Sequence, residues 1–171
     1  MTYSLFIGRF QPFHNGHLQV IQDIINSGEK VIIAVGSAQT SHTATDPFTA
    51  HERLVMVKSA LLEAGINAED YWLMPIQDIN QNQIWVKYLQ NNLPEFSKVY
   101  SGSTLVKQLF RENSEIKLEE LPRHNGLSAT KIRHLIASND PTWEKHIPTT
   151  VAKYIKEKQL TKRVSTLIQS S

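Results

Sequence analysis

The chain has 171 residues, long enough for one domain with its own buried core, and 40% hydrophobic against 20% charged residues marks it as globular. Eighteen Lys and Arg against sixteen Asp and Glu leave a net charge of only +2, which argues against nucleic acid as the partner. The absence of cysteine excludes disulfides, thiol catalysis and cysteine-ligated zinc. The apolar run at the N-terminus ends at Arg9, too short for a signal peptide or a membrane span, so a cytoplasmic setting without a membrane partner is expected.

Short apolar runs alternate with longer amphipathic ones, the pattern of an α/β fold with a parallel sheet. A strand is expected over Tyr3 to Ile7, then a helix with apolar positions at Leu18, Ile21 and Ile25. Lys30 to Gly36 is a β-branched run suited to burial on both faces. Thr49-Ala50-His51-Glu52 reads as a capping box, with Leu54, Val57, Leu61 and Ala64 at helical spacing and Gly65 as the stop. Further strands are expected at Tyr71 to Ile76, Lys98 to Ser101 and Ile116 to Leu121, with helices near Gln83 to Asn91 and Ser103 to Arg111. Ser128 reads as the N-cap of a helix through Ile132, Leu135 and Ile136. The tail after Pro148 is helical, with Val151, Tyr154 and Ile155 on one face. Its basic residues, Lys153 to Arg163, read as a solvated face, and a subunit contact is an alternative because the apolar stripe must be covered.

The chemistry concentrates in Ile7-Gly8-Arg9-Phe10-Gln11-Pro12-Phe13-His14-Asn15-Gly16-His17. A strand enters a turn there and leaves as a helix. The free N–H groups and dipole of the helix start favour an anion, and Gly16 lets a ligand approach the backbone. His14 and His17 are three apart and share one side of the first turn, while Arg9 offers a fork suited to phosphate. Alone, the histidine pair is also compatible with a structural cap or with zinc, but zinc lacks a further ligand nearby. The whole string points to a nucleotide polyphosphate. A second helix start, Leu127-Ser128-Ala129-Thr130-Lys131-Ile132-Arg133, offers two hydroxyls and a cation one turn in; an ordinary capped helix with a surface arginine is its plain reading.

These two elements resemble the H-x-G-H and I-S-S-T-x-I-R-like motifs of the nucleotidylyltransferase superfamily. The closer resemblance is to the archaeal-type nicotinamide-nucleotide adenylyltransferases. It takes in Gly36 to Gln39, Asp46 to Ala50 with Glu52-Arg53, Ile84-Trp85-Val86 and Val99 to Gly102, and so covers essentially the whole chain. Ala129 and His51 depart from the family, which favours Gly or Ser and Gly there, and Ser103 stands where Asn is common. The resemblance implies a Rossmann-like, doubly wound parallel sheet with helices on both faces, as one domain: residues 1–140 an α/β core and 141–171 a C-terminal helical segment.

It further implies transfer of AMP from ATP to nicotinamide mononucleotide (NMN), giving NAD and pyrophosphate, with Mg²⁺ bridging the ATP phosphates and no metal held by the protein alone. The catalytic residues would be His14, His17 and Arg133. Gly8, Arg9, Phe10, Gln11, Gly16, Ser128 and Thr130 would complete the ATP site, and Ser37, Arg53, Asn82 and Trp85 would face NMN. From the residues alone, Trp85 also fits a core position and Arg53 a surface one in its helix's first turn. Phosphopantetheine or FMN as acceptor, or a non-catalytic nucleotide-binding regulator, are the alternatives; Arg9 and Gln11 in place of Thr and Asp favour the nicotinamide branch. A homo-oligomer, by family a hexamer, is expected.

Overall fold

The computed structural model describes residues 3–79, 81–121 and 127–170. Five parallel strands, β1 (Tyr3–Gly8), β2 (Lys30–Val35), β3 (Tyr71–Pro75), β4 (Phe96–Tyr100) and β5 (Lys117–Glu119), form one sheet in the order β3-β2-β1-β4-β5. Each strand is followed by a helix: α1 (Asn15–Asn26), α2 (Ala50–Glu63), α3 (Asn82–Asn92), α4 (Thr104–Asn113) and α5 (Ala129–Ala137).

Period-two side-chain alternation divides the core into two. Phe6, Val31, Ile33 and Val35 pack with α1, α2 and α5 on one face, while Leu5, Ile7, Ile32 and Ala34 pack with α3 and α4 on the other. The first two crossover helices thus lie on one face and the next two on the opposite face. The change of face falls between β1 and β4, the switch point at which such sheets bind ligands, outside the carboxyl ends of the strands.

Local signals act as expected at two helix starts: Thr49 and Glu52 form a reciprocal capping box, and Ser128 caps α5 through Lys131 N. Ser103, expected as the first residue of its helix, is the N-cap of α4 and accepts from Val106 N. Gly65, at φ +70°, ends α2.

The C-terminal tail differs from a single helix. A short 3₁₀ segment, Pro141–His146, precedes α6 (Thr149–Glu157) and α7 (Leu160–Gln169), and the chain turns between them at Gln159, φ +54°. This turn lets α6 pack on α2 while α7 packs on α5, burying Val151, Ile155, Leu160 and Val164. The apolar stripe is therefore covered within the chain.

Candidate active site

At the carboxyl ends of β1, β2 and β4 lies a cleft of about 650 Å³, lined by Gly8, Arg9, His17, Gly36, Ser37, Asp78, Asn82, Trp85 and Ser101 to Ser103, with an apolar wall including Leu105, Val106 and Leu109. Its first wall is the turn after β1. Phe10 takes φ +52° and folds its ring back under the strand end. A Cβ on Gly8 would lie 3.0 Å from that ring, so only glycine admits the fold-back without displacing it. The Phe10 ring meets Phe6 at 5.4 Å, Phe13 at 5.6 Å and the His17 ring edge-on at 4.9 Å between centroids. Phe10 is thus buried core beneath the histidine, outside the cleft lining. Gln11 is also buried, donating to Phe48 O at 3.0 Å and accepting from Phe48 N at 3.0 Å, which pins the turn to the loop before α2.

The two histidines form the N-terminal cap of α1. His14 is the N-cap and accepts from His17 N at 3.3 Å; His17 Nδ1 accepts from His14 N at 3.2 Å. The rings stack at 3.5 Å, 16° from parallel. Because both Nδ1 atoms accept from main-chain N–H, a neutral ring carries its proton on Nε2, making that atom a donor. The cap reading therefore holds, and it leaves Nε2 as the donor that a phosphate oxygen would need. Gly16 lies buried in the first turn beside them.

Arg133 reaches from α5 to this turn. It donates to Gln11 O at 2.8 Å, Ala44 O at 3.1 Å and Thr130 Oγ1 at 3.3 Å, and it is only 6% exposed. The plain reading of a surface arginine does not hold. Burial, with the Arg9 charge adding and Asp46 opposing, pushes its guanidinium below the usual range. Thr130 accepts from this arginine, Ser128 caps its helix, and none of the three is among the cleft-lining residues.

Arg53 is neither on the surface nor in the cleft. It is fully buried and donates to Arg9 O at 2.9 Å, Gly36 O at 2.7 Å, Ser37 O at 3.0 Å and Thr49 O at 3.2 Å. It ties the ends of β1 and β2 together from beneath, where the sequence suggested an acceptor phosphate contact. Burial lowers its basicity, with Asp46 and Asp78 opposing and Arg9 adding. Arg9 is its counterpart: 56% exposed at the cleft, it meets both oxygens of buried Asp46 at 3.1 and 3.2 Å.

On the far side Asn82 opens α3 and Trp85 follows one turn later. Trp85 is 6% exposed, edge-on to Phe110 at 6.1 Å, and also lines the cleft. The core reading of this tryptophan holds, and the residue also borders the cleft. Gln39 exchanges two hydrogen bonds of 3.1 Å with the main chain of Asp78 and holds that loop against the cleft as Gln11 holds Phe48.

Sequence reasoning missed Asp46, Asp78 and the α4 wall. Asp46 lay in a quoted motif without a role, and Leu105 is a half-exposed leucine at a helix start. Among the described residues no group of three His, Asp or Glu is placed to hold a metal by itself.

The sequence matches the cytidylyltransferase-like family over residues 5–135. It is 44% identical over 165 residues to a nicotinamide-nucleotide adenylyltransferase of Thermococcus onnurineus, covering 96% of this chain and 87% of that protein. It is 41% identical over 168 residues to the protein of that name from Picrophilus torridus, covering 98% of each. Among solved structures, a bifunctional NMN adenylyltransferase/ADP ribose pyrophosphatase from Francisella tularensis, complexed with AMP and a Mn ion, aligns with TM-score 0.69 and 26% identity. That alignment covers 96% of this chain and 52% of the Francisella chain, so this protein spans about half its length. A Plasmodium falciparum nicotinic acid mononucleotide adenylyltransferase shares the fold at TM-score 0.65 and 12% identity. With sheet order, switch-point cleft and near full-length identity in agreement, the chain belongs to the cytidylyltransferase-like family and, within it, to the nicotinamide-nucleotide adenylyltransferases.

Proposed function

We infer that the protein transfers AMP from ATP to nicotinamide mononucleotide. The 5′-phosphate oxygen of the mononucleotide bonds to the α-phosphorus of ATP, the bond from that phosphorus to the β-bridging oxygen breaks, and NAD and pyrophosphate leave. The nucleophile is an anion at neutral pH, so no protein nucleophile is needed; the work is to hold two polyanions together and stabilise charge on the leaving pyrophosphate.

The observation that carries this reading is the stacked histidine cap beside a cleft at the switch point. In this proposal the Nε2–H groups of His14 and His17 donate to ATP phosphates, with Arg9 and Arg133 as the neighbouring cations and the N–H groups around Gly16, Ser128 and Thr130 completing the cradle. Arg53 acts as a positioning residue beneath them. Trp85, Asn82 and Ser37 form the mononucleotide side, the indole offering its π system to a cationic pyridinium.

ATP would enter as its Mg²⁺ complex. Mg²⁺ pairs with phosphate oxygens plus one or two carboxylates, and the cleft's donor set suits it: hydroxyls at Ser37, Ser101 and Ser103 and the carboxylate of Asp78. When bound, the ion would offset the charge of the phosphates, and Asp78, the carboxylate among the cleft-lining residues, could help to hold it. The resemblance to the family also leads us to propose a homo-oligomer, in the cytoplasm, without nucleic acid or membrane as partner. None of the described helices is long and apolar enough to cross a membrane.

A panel of ATP with NMN, nicotinic acid mononucleotide, phosphopantetheine or FMN, read by pyrophosphate release, tests the acceptor. Fastest turnover with a pyridine mononucleotide is expected. Preference for phosphopantetheine or FMN would move the protein to another branch, and no turnover with any would favour a non-catalytic regulator.

A further inference from the structure

Arg9 is the most exposed cation of the candidate ATP site, yet its guanidinium has a fixed partner. Nη1 meets both carboxylate oxygens of Asp46, a residue only 4% exposed. The carboxylate is itself held: Thr45 Oγ1 donates to it at 2.8 Å, and Asp46 N donates to Thr43 Oγ1 at 3.0 Å. The residues just after it are pinned too, Pro47 O by Arg163 at 3.2 Å and Phe48 by the two bonds from Gln11. On the other side of the pair, Arg53 fixes the main-chain carbonyl of Arg9 at 2.9 Å.

Two other buried arginines reach the same turn, Arg53 donating to Arg9 O at 2.9 Å and Arg133 to Gln11 O at 2.8 Å. Arg53 and Arg133 both feel Arg9 as a destabilising neighbour and Asp46 as a compensating one. A partly exposed ion pair contributes little to stability by itself. What the Asp46 pair fixes is the place of a long, otherwise mobile side chain. The carboxylate takes the Nη1 side, and Nε and Nη2 make up the guanidinium's remaining edge, the one suited to an anion in the cleft.

We propose that Asp46 is the positioning residue for Arg9: a rigidly seated carboxylate that aims the guanidinium at the substrate phosphates. Asp46 touches no substrate. It sets where Arg9 stands when negative charge develops, which is a transition-state effect more than a binding one. The inference rests on the adenylyltransferase reading above.

The test is steady-state kinetics of the full chain with ATP varied at saturating NMN. Asp46→Asn keeps shape and an acceptor oxygen but removes the charge. The expected result is a fall in kcat of roughly 10- to 100-fold, with KM for ATP no higher than in the unaltered protein, because losing an anion leaves the site more positive. In an Arg9→Ala background the same change should alter kcat by less than about twofold. Unchanged kcat in Asp46→Asn, or effects of the two changes that multiply, would overturn the proposal.

If Asp46→Asn does not fold by circular dichroism, Arg9→Lys tests the pair from the other side. It keeps the charge but lacks the fork, and the same split between kcat and KM is expected; unaltered kcat there refutes the proposal. A wild-type protein that forms no NAD would sink the functional reading instead. Asp46 is then judged by ATP affinity in calorimetry, where coupling between Asp46→Asn and Arg9→Ala sustains the proposal and independent effects reject it.

Discussion

Replacing Arg53 by methionine separates a wall-building arginine from a substrate-binding one. Methionine keeps much of the aliphatic volume and deletes every N–H. Three carbonyls from other segments, Arg9 O, Gly36 O and Ser37 O, lose donors at 2.7–3.0 Å. Each buried acceptor left unpaired costs about 1–3 kcal/mol, so the sum is about 3–9 kcal/mol. Gly36 and Ser37 border the cleft, so water reaches part of the gap and the low end of that range, about 3–5 kcal/mol, is expected. Against a typical domain stability of about 5–15 kcal/mol this is a large fraction. It corresponds to a melting temperature lower by roughly 6–20 °C. Urea and thermal melts followed by circular dichroism give the stability, and steady-state kinetics give KM for each substrate. A variant melting within about 2 °C of wild type, with KM for NMN alone raised tenfold or more, would return Arg53 to the acceptor phosphate.

His17→Ala should lower kcat by about 100- to 1,000-fold through the lost phosphate donor, while the broken cap costs about 1 kcal/mol of stability; unchanged kinetics would remove His17 from the site. Trp85→Phe should keep the fold, because the Phe110 contact survives with an aromatic ring, and raise KM for NMN more than KM for ATP. Equal KM values in mutant and wild type would exclude the stacking role. Burial pushes the Glu52 carboxyl up, but donors from Arg163 and Thr49 outweigh it and hold the group below its ordinary 4.5. A carboxylate lowered in the folded state adds stability above its unfolded pKa that is lost as pH falls through the folded one. Glu52→Gln should therefore flatten the acid limb of a stability–pH curve below about pH 4.5; an unchanged acid limb would contradict the pairing.

Much of the scaffold was legible because its causes are local. The Val31 to Val35 run is apolar at every position since alternate side chains enter the two cores, and Thr49 and Ser128 cap the helices they precede. The histidine pair was legible as a helix cap, and that cap is compatible with the phosphate site the spacing left as its rival. What escaped lies in partnerships set by the fold. Gln11 and Phe48, Arg9 and Asp46, and Arg53 with the carbonyl of Arg9 are 37, 37 and 44 residues apart in sequence, and no periodicity connects them. Phe10 sat inside a binding motif but serves as core under His17, because a left-handed turn directs its ring inward. The basic C-terminal tail is mostly exposed lysine, but Arg163 turns back to Glu52 at 2.7 Å, an ion pair visible only once α7 is placed.

The most direct measurement mixes the purified chain with ATP, NMN and Mg²⁺ and quantifies NAD by mass alongside pyrophosphate. Equimolar NAD and pyrophosphate, formed in proportion to enzyme and falling by about two to three orders of magnitude in His17→Ala, is the predicted result. ATP consumption without NAD, or NAD formation unaffected by His17→Ala, would contradict the claim that the stacked histidine cap is the heart of an adenylyl-transfer site.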